Sequence, residues 1–559
     1  MIKNAQGYAL FKGISEEEAQ KIAGQITYTD DAHMATEDAD LVIESITENF
    51  EIKKAFYQEF GEAAPDKTIF GTNTSGLLPS QLMAFTGRPE KYVGLHFSNP
   101  VWEKPIVEVM GTSKTNSEIV EQMVDFAHDM KMTPVVAHKE RPGYLLNSLL
   151  IPWLEGSQQL LADGIATPED IDKTWMAGAE DHTGPIGVQD LIGLDTVIAS
   201  SEGLAEANPD QKWRAKFVDM MKKRRDDGRR GIVDGKGFYT YPNPEYRQAD
   251  FFDNDPAYKQ HSHPYHTVTV AGGGVLGSQI AYQIARFGFD TIQYDISEET
   301  IDAAKKRVES YIPLVVRDVD ADPDEARAAA DRITYTANME EAFSHTDLVI
   351  EAVPETMAIK KQFYNDIQRY LPEHTVLLTN SSTLAPSAFM HETGRPEKFL
   401  ALHFVNHIWL KNTGEVMKTE LTDDEVFKDV QSFTDAMGMM VISLYKEQPG
   451  YILNTLFIPF LRGAIQLLAT GVATPRDIDL AWKVGRNIPY GPCQAIDRVG
   501  IRTLYNIYLA HYANTSLEAD EKALALLERL EKAGELGQET GMGLYEYRDG
   551  ETIDREWNL

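Results

Sequence analysis

The chain contains almost no cysteine and no recognisable export segment. Cys493 is the single cysteine among 559 residues, which excludes an internal disulfide and a cysteine-based metal cluster and fits a reducing compartment. No apolar run approaches the length of a membrane span, and the N-terminal residues lack the basic-then-apolar order of a signal peptide. These absences predict a soluble, cytoplasmic protein with no membrane partner.

Positive charge is also scarce. The 53 lysine and arginine residues are outnumbered by 86 aspartate and glutamate residues, so the formal net charge is −33. Because nucleic-acid binding requires a basic excess that neutralises phosphates, we expect no nucleic-acid partner. The apolar content of 43% and charged content of 25% are those of an ordinary globular protein. A chain of this length predicts roughly three to five domains.

Most of the sequence occurs twice. Residues 72–100 align without a gap on residues 379–407, with 17 of 29 positions identical and a constant offset of 307 residues. The same offset holds from Ile26 and Ile333 to Pro185 and Pro492. The two halves are therefore predicted to be one fold duplicated, and residues 266–307 have no partner in the first half.

The unpartnered segment carries a glycine-rich loop. An apolar strand pattern leads into Gly272, Gly274 and Gly277, a helical pattern follows, and Asp295 ends the next apolar run. Glycines at this spacing allow a tight turn and let backbone N–H groups approach a pyrophosphate at a helix N-terminus. A carboxylate at Asp295 would accept ribose hydroxyls and repel a 2′-phosphate, so the motif predicts NAD rather than NADP.

Each half has the same predicted architecture. Short apolar runs alternate with helical segments, as in a doubly wound α/β sheet, and long amphipathic helices follow. The fold class is therefore α/β, a doubly wound Rossmann-type sheet domain followed by an all-α helical domain, with the pair duplicated in one chain. The predicted divisions are an incomplete sheet domain (1–140), a helical domain (141–241), a connector (242–265), a complete NAD-binding sheet domain (266–446) and a second helical domain (447–559).

A histidine follows the same apolar run in both halves. His403 is followed by Asn406 three residues later and Glu415 twelve later, and His96, Asn99 and Glu108 repeat that spacing. A histidine beside a nicotinamide can take the hydroxyl proton as hydride leaves an alcohol carbon, provided that a carboxylate fixes its tautomer. The repeated spacing predicts a His–Glu general base.

These motifs resemble the L-3-hydroxyacyl-CoA dehydrogenase family, duplicated head to tail. The resemblance rests on the Asn-Ser-Ser, His-Phe-x-Asn and Pro-Gly-Tyr-x-x-Asn patterns and covers nearly the whole chain apart from the connector. It implies NAD as cofactor, an acyl-CoA substrate and oxidation of 3-hydroxyacyl-CoA to the 3-oxo thioester, or the reverse. The resemblance also implies site roles: His403 as base with Glu415 as orienting partner; Ser382, Asn406 and Asn454 around the substrate; Glu355 and Lys360 near the cofactor; and first-half equivalents Ser75, His96, Asn99, Glu108, Asn147, Glu48 and Lys53.

Two departures from the family pattern stand out. His407 occupies a position where the family usually has proline, which leaves the acyl-chain preference open. The first half has no glycine loop and lacks the first two strands of the sheet. Either the first half is a degenerate, structural copy or the sequence begins late, and we favour the late start. In both cases we expect the first sheet to expose an apolar edge unless the second half or another chain covers it.

Several alternatives remain at the sequence level. A related dehydrogenase of a free hydroxy acid or sugar acid would use the same base, and a non-catalytic NAD-binding or structural protein would keep the same fold.

His261, His263 and His266 in the connector lack an orienting carboxylate pattern, so no metal site is predicted there. The two helical domains are expected to pair as an intramolecular pseudo-dimer. Acyl-chain length, reaction direction and further oligomerisation are not set by the sequence.

Overall fold

The computed structural model describes residues 2–557. The first half contains the following elements up to the connector: α1 (Ile2–Lys12), α2 (Glu16–Ala23), α3 (Ala32–Thr36), β1 (Leu41–Glu44), α4 (Phe50–Ala63), β2 (Ile69–Thr72), β3 (Tyr92–Phe97), β4 (Ile106–Gly111), α5 (Ser117–Asp129), β5 (Thr133–Ala137), α6 (Leu146–Ala162), α7 (Pro168–Ala179), α8 (Pro185–Ile192), α9 (Leu194–Ala207) and α10 (Lys212–Asp226).

The connector holds one short α-helix, and the second half repeats the pattern with three additional strands in its main sheet and a separate two-stranded hairpin. The elements are α11 (Pro256–Gln260), β6 (Thr267–Ala271), α12 (Val275–Arg286), β7 (Asp290–Tyr294), α13 (Glu298–Val319), α14 (Pro323–Asp331), β8 (Ile333–Thr336), α15 (Met339–Phe343), β9 (Leu348–Glu351), α16 (Met357–Ile367), β10 (Val376–Thr379), β11 (Phe399–His403), β12 (Thr413–Lys418), α17 (Asp424–Ala436), β13 (Met440–Leu444), α18 (Tyr451–Ala469), α19 (Pro475–Arg486), α20 (Pro492–Val499), α21 (Ile501–His511), α22 (Glu518–Lys532), β14 (Glu546–Arg548) and β15 (Glu551–Ile553).

The second half forms the complete sheet. Eight strands lie in the order β13-β12-β11-β10-β9-β6-β7-β8, and every pair is parallel except β11 with β12. The inner strands β9, β10 and β11 are buried along their whole length, because helices cover both faces of a parallel sheet. The predicted doubly wound α/β class, followed by helices and duplicated, is confirmed.

The first half forms a smaller sheet of five strands, in the order β1-β2-β3-β4-β5. The sequence predicted the loss of two strands, but the counterpart of β8 is missing as well, since residues 25–30 form no strand. A strand in that place would have no neighbour to accept its backbone hydrogen bonds. As expected, the edge strand β1 is exposed: the side chain of Ile43 is 37% accessible, whereas its counterpart Ile350 is 0% accessible.

The chain divides into two compact units, and the boundaries fall inside α6 and α18. One unit is Met1–Trp153 with Ile458–Leu559, and the other is Leu154–Phe457. Each unit therefore combines the sheet of one half with most of the helical region that follows the sheet in the other half. In the second unit, the segment before α7 runs beside β13, where the Tyr445 N–H donates to the carbonyl of Ile165 at 2.8 Å. The domain boundaries given above for the sequence stay predictions.

One helix differs from the expectation that no apolar segment approaches the length of a membrane span. Within residues 2–557, α18 alone is long and apolar enough to cross a membrane, with a mean hydropathy of 1.5. Such a helix is equally typical of a protein core, and 56% of its most apolar window is buried. We interpret α18 as a core helix.

Candidate active site

The predicted base and its carboxylate face each other across two strands. His403 is the last residue of β11, and Glu415 on β12 is its direct partner in the antiparallel register. His403 Nδ1 lies 2.8 Å from Glu415 Oε2, and both side chains are buried. An ionised carboxylate only accepts hydrogen bonds, so Nδ1 carries the proton and Nε2 presents a lone pair. This is the tautomer that a general base requires.

The other ring nitrogen of the histidine meets a serine. Ser382 Oγ lies 3.1 Å from His403 Nε2, so the hydroxyl can donate to that lone pair. The buried amide of Asn380 accepts the N–H of Phe404 at 2.9 Å, which fixes the chain immediately after the histidine. Ser382, His403 and Glu415 therefore lie in one hydrogen-bonded row. The sequence predicted the His–Glu pair from its spacing, whereas Ser382 entered only through the family resemblance and its contact with His403 was not predicted.

Tyr451 is part of the site although the sequence did not single it out. Its ring stacks on His403 with centroids 4.3 Å apart, and its hydroxyl donates to the carbonyl of Ser381 at 2.7 Å. The backbone of Tyr451 has φ 55°, a left-handed conformation that is rare for a bulky residue. The strained turn places Ile452 so that its N–H donates to Glu415 Oε1 at 3.1 Å. The Pro-Gly-Tyr pattern, present in both halves, is the signal that could have indicated this role.

The two predicted substrate asparagines lie on different elements. Asn406 is exposed in the loop after β11, and Asn454 is half-buried on the first turn of α18. Between them, His407 has φ 61° and its N–H donates to Gln279 Oε1 at 2.8 Å. The loop is thereby fixed to α12, the helix that follows the glycine loop. The roles of both asparagines toward substrate stay predictions.

The glycine loop leaves β6 at the same edge of the sheet. Gly272 has φ 107°, and a β-carbon there would collide with the carbonyl of Ala352. At Gly277 a β-carbon would collide with the carbonyl of Gly272, whereas at Gly274 it would meet no atom within 4 Å. Gly272 and Gly277 therefore allow the tight turn, and Gly274 leaves the backbone exposed to solvent at the N-terminus of α12. That arrangement fits a bound pyrophosphate.

Asp295 also closes this loop. Its Oδ2 accepts the N–H of Gly273 at 2.7 Å, and Arg307 donates to the carbonyl of Gly273 at 2.8 Å. Asp295 is half-buried, so its carboxylate remains accessible to a ribose hydroxyl. Arg307 was not identified from the sequence, because a single arginine on a helical pattern carries no signal. The residues present therefore fit NAD, and the predicted positions of the loop and the acid agree with the geometry.

Glu355 and Lys360 belong to one buried network. Lys360 is buried and donates to Glu351 at 2.7 Å, and its distance to Glu355 is 3.2 Å. Glu355 Oε1 accepts the hydroxyl of Ser381 and the N–H of Thr383. These hydrogen bonds and Lys360 outweigh partial burial and lower the pKa of Glu355 to about 2. Lys360, which is buried, thus holds the segment between β9 and α16 in place. The carboxylate of Glu355 in that segment remains exposed.

Glu351 is a further residue that sequence reasoning missed. It is fully buried at the end of β9, where it also accepts the hydroxyls of Tyr364 at 3.2 Å and Thr379 at 2.7 Å. Glu44 makes the same contacts with Lys53, Tyr57 and Thr72 in the first half. Repetition of all four residues at one offset was the available signal.

The first half contains a second copy of the catalytic row. His96 Nδ1 lies 2.6 Å from Glu108, and His96 Nε2 lies 2.9 Å from Ser75 Oγ. Asn99 is exposed and Asn147 half-buried, as their counterparts are. Glu48, beside Lys53, accepts the N–H groups of Ser75 and Gly76. Within the described residues of this half, no glycine loop and no counterpart of β6 accompany the row.

The connector histidines do not converge. His261 pairs with Asp429 at 2.6 Å, whereas His263 stacks on Tyr265. Across residues 2–557, no group of three or more histidine, cysteine, aspartate or glutamate side chains could hold a metal ion.

Comparison with known proteins agrees with this geometry. The model of the 3-hydroxyacyl-CoA dehydrogenase NAD-binding domain matches residues 2–141 and 267–448, and the model of the C-terminal domain of the same family matches residues 143–241 and 450–547. The chain belongs to the 3-hydroxyacyl-CoA dehydrogenase family. It is an NAD-dependent oxidoreductase of this family, and the predicted tandem duplication is confirmed.

Three relatives illustrate the extent of the similarity. A probable 3-hydroxybutyryl-CoA dehydrogenase of Bacillus subtilis (strain 168) is 31% identical, over 50% of this chain and 97% of that protein. A solved diketoreductase, described as catalysing reactions of dicarbonyl compounds, is 44% identical over 51% of this chain and 99% of its own, with a TM-score of 0.48. The 3-hydroxybutyryl-CoA dehydrogenase of Escherichia coli K12 shares the fold over 94% of this chain and 90% of its own, with 18% identity and a TM-score of 0.57.

Proposed function

We propose that the second half interconverts 3-hydroxyacyl-CoA and 3-oxoacyl-CoA with NAD as the hydride carrier. The observation that carries this proposal is the position of His403. Its Nε2 is presented at the carboxyl edge of the same sheet from which the glycine loop leaves β6, and its Nδ1 is held by Glu415. A base and a dinucleotide loop at one strand edge are what oxidation of an alcohol requires.

The side chains divide the work on the substrate. His403 Nε2 takes the proton of the 3-hydroxyl group, and Glu415 stabilises the imidazolium that forms. Ser382 occupies the Nε2 lone pair in the free protein and is placed to donate to the substrate oxygen instead. Asn406 and Asn454 are proposed to position the substrate carbonyl or hydroxyl near the nicotinamide. NAD held at Gly272, Gly274, Gly277 and Asp295 would supply the acceptor for the hydride that leaves C3.

Two further proposals concern the setting. A cytoplasmic location is supported by the single cysteine.

An intramolecular pseudo-dimer is supported by reciprocal helix contacts at the offset of 307 residues. A β-carbon on Gly156 would lie 2.6 Å from the Thr455 carbonyl, and one on Gly463 would lie 2.6 Å from the Ser148 carbonyl. Such exchange of equivalent contacts is the pattern of a two-fold interface.

The test is a substrate panel. We expect NADH oxidation with 3-oxoacyl-CoA esters and little with the corresponding free 3-oxo acids. His403→Ala should abolish this turnover and leave the NADH dissociation constant nearly unchanged, because the residue lies outside the glycine loop. Activity with free acids alone would replace the CoA assignment by the hydroxy-acid alternative, and undiminished turnover in the His403 variant would remove the proposed base.

A further inference from the structure

A small cavity adjoins the catalytic row of the second half. It has a volume of about 50 Å³ and is lined by His403 and Glu415 together with Leu453 from α18. Its opposite wall comes from the first half of the chain, through Thr174, Ala177 and Gly178 on α7. A helix that the repeat assigns to one catalytic centre thus borders the other.

The wall formed by α7 is firmly attached. Thr167 caps the helix by accepting the N–H of Asp170 at 3.1 Å, and the chain just before it is bonded to the end of β13 through Ile165 and Tyr445. At the other end of the helix, a β-carbon on Gly178 would lie 2.8 Å from Leu453 Cδ1. The helix therefore packs closely on α18, and retreat from the site would break these contacts.

The other catalytic row is bordered by different side chains. At the offset of 307 residues, Ala481 replaces Thr174, Val484 replaces Ala177 and Ile106 replaces Thr413, another residue of the cavity wall. Lys411 is exposed at the cavity of the second half, whereas its counterpart Lys104 is half-buried. Burial, followed by the nearby charge of Arg486, lowers the pKa of Lys104. The duplication thus supplies natural replacements for the wall residues.

We infer that α7 of the first half sets the acyl-chain length accepted by the second-half site, with Thr174 and Ala177 as the specificity-determining residues. The inference rests on the proposed function. A cavity of about 50 Å³ exceeds the roughly 10–15 Å³ that one water molecule needs, but is far below the roughly 300–1,000 Å³ of pockets that enclose large ligands. The substrates are therefore 3-hydroxyacyl and 3-oxoacyl thioesters with short chains.

The test exchanges the wall residues for those of the repeat. Ala177→Val narrows the cavity and Thr174→Ala widens it, each to the residue present on α19. The ratio of kcat/KM for the six-carbon 3-oxoacyl-CoA to that for the four-carbon one should fall about tenfold in Ala177→Val, and rise by a similar factor in Thr174→Ala, since methylene-sized changes in an apolar pocket produce effects of about this size. Val484→Ala is the matched control on the other helix, for which the ratio should not move.

The outcomes separate this inference from the proposed function. If the unmodified chain turns over no CoA ester, the proposed function fails and the inference fails with it. If the chain is active and the chain-length ratio stays within twofold in both α7 variants, the inference alone is wrong. NADH affinity and melting temperature, measured on every variant, identify a protein that has lost its fold. Thr174→Ala removes atoms and so decides the matter if Ala177→Val does not fold.

Discussion

Replacing Glu415 by glutamine tests the role of the carboxylate without changing the shape of the site. Glu415 Oε2 lies 2.8 Å from His403 Nδ1. A pair of unit charges at this separation interacts with about 6 kcal/mol at an effective dielectric constant of about 20. That interaction exists only when the imidazole has taken the substrate proton. Its loss therefore raises the activation barrier for alcohol oxidation and leaves the stability of the resting protein unchanged.

The glutamine can still accept the Nδ1 proton through its amide oxygen, which preserves a neutral hydrogen bond worth about 1 kcal/mol. We therefore expect kcat for 3-hydroxybutyryl-CoA oxidation to fall by about 10³–10⁴, corresponding to about 4–5.5 kcal/mol. The NADH dissociation constant, measured by fluorescence titration, should stay within about twofold. The assay is the initial rate of NADH formation at saturating 3-hydroxybutyryl-CoA and NAD.

Glu108→Gln provides the matched comparison. Its carboxylate lies 2.6 Å from His96 Nδ1, but the sheet that carries it has no counterpart of β6 in the described residues. We expect the fold-reduction in kcat caused by Glu108→Gln to be about a hundredfold smaller than that caused by Glu415→Gln. A Glu415→Gln protein that retains more than a tenth of the original kcat would refute the charge argument. Equal losses in both variants would refute the assignment of turnover to the second half.

Two further predictions compare pairs of positions, and a third concerns a single buried carboxyl group. Gly274→Ala should weaken NADH binding about tenfold with an unchanged melting temperature. Gly277→Ala should lower both the NADH affinity and the melting temperature, because only a β-carbon at Gly277 collides with the protein. Equal melting temperatures in the two variants would contradict this prediction. Ile350→Ser should cost about 3–5 kcal/mol of unfolding free energy by denaturant titration and Ile43→Ser less than about 1, since only Ile350 is fully buried; similar costs would show that the edge of β1 is covered. Burial raises the pKa of Asp479 from its ordinary 3.8 to about 7, so its protonated form stabilises the fold at low pH and this contribution is lost as the pH rises from about 4 through 7; Asp479→Asn should remove that slope, and a stability curve parallel to the unmodified protein would count against it.

The sequence predicted the centre of the site better than its surroundings. A spacing of twelve residues between His403 and Glu415 corresponds to a strand, a connection and a returning strand, so the contact followed from periodicity and the repeat. Tyr451 and Glu351 were harder to identify. Their roles depend on a left-handed turn and on a buried network of four side chains, which the sequence marks only through the repetition of the same residues in both halves. Lys360 was assigned to the cofactor region, and the structure places it beneath that region, fully buried.

The missing third strand of the first sheet has the same kind of explanation. Residues 26–28 of the first half keep the apolar pattern of their counterparts in β8. A pattern of side chains describes which face is buried but not whether a neighbouring strand exists. Since β7 has no counterpart among the described residues, the backbone there has no parallel partner and stays irregular. Local propensity was thus overridden by topology.

The origin of the cavity wall is the feature that sequence comparison could least provide. Two copies of one fold carry two nearly equivalent helices, α7 and α19, and either could border the row at His403 with similar side chains. Only the contacts of Ile165, Gly178 and Leu453 select α7. Duplication in one chain makes this selection permanent, because α7 and the row that it borders are always inherited together. Each wall can then diverge on its own, and the change from Ala177 to Val484 at equivalent positions is such a divergence. A homodimer of identical chains could not differ in this way, since one substitution would alter both sites at once.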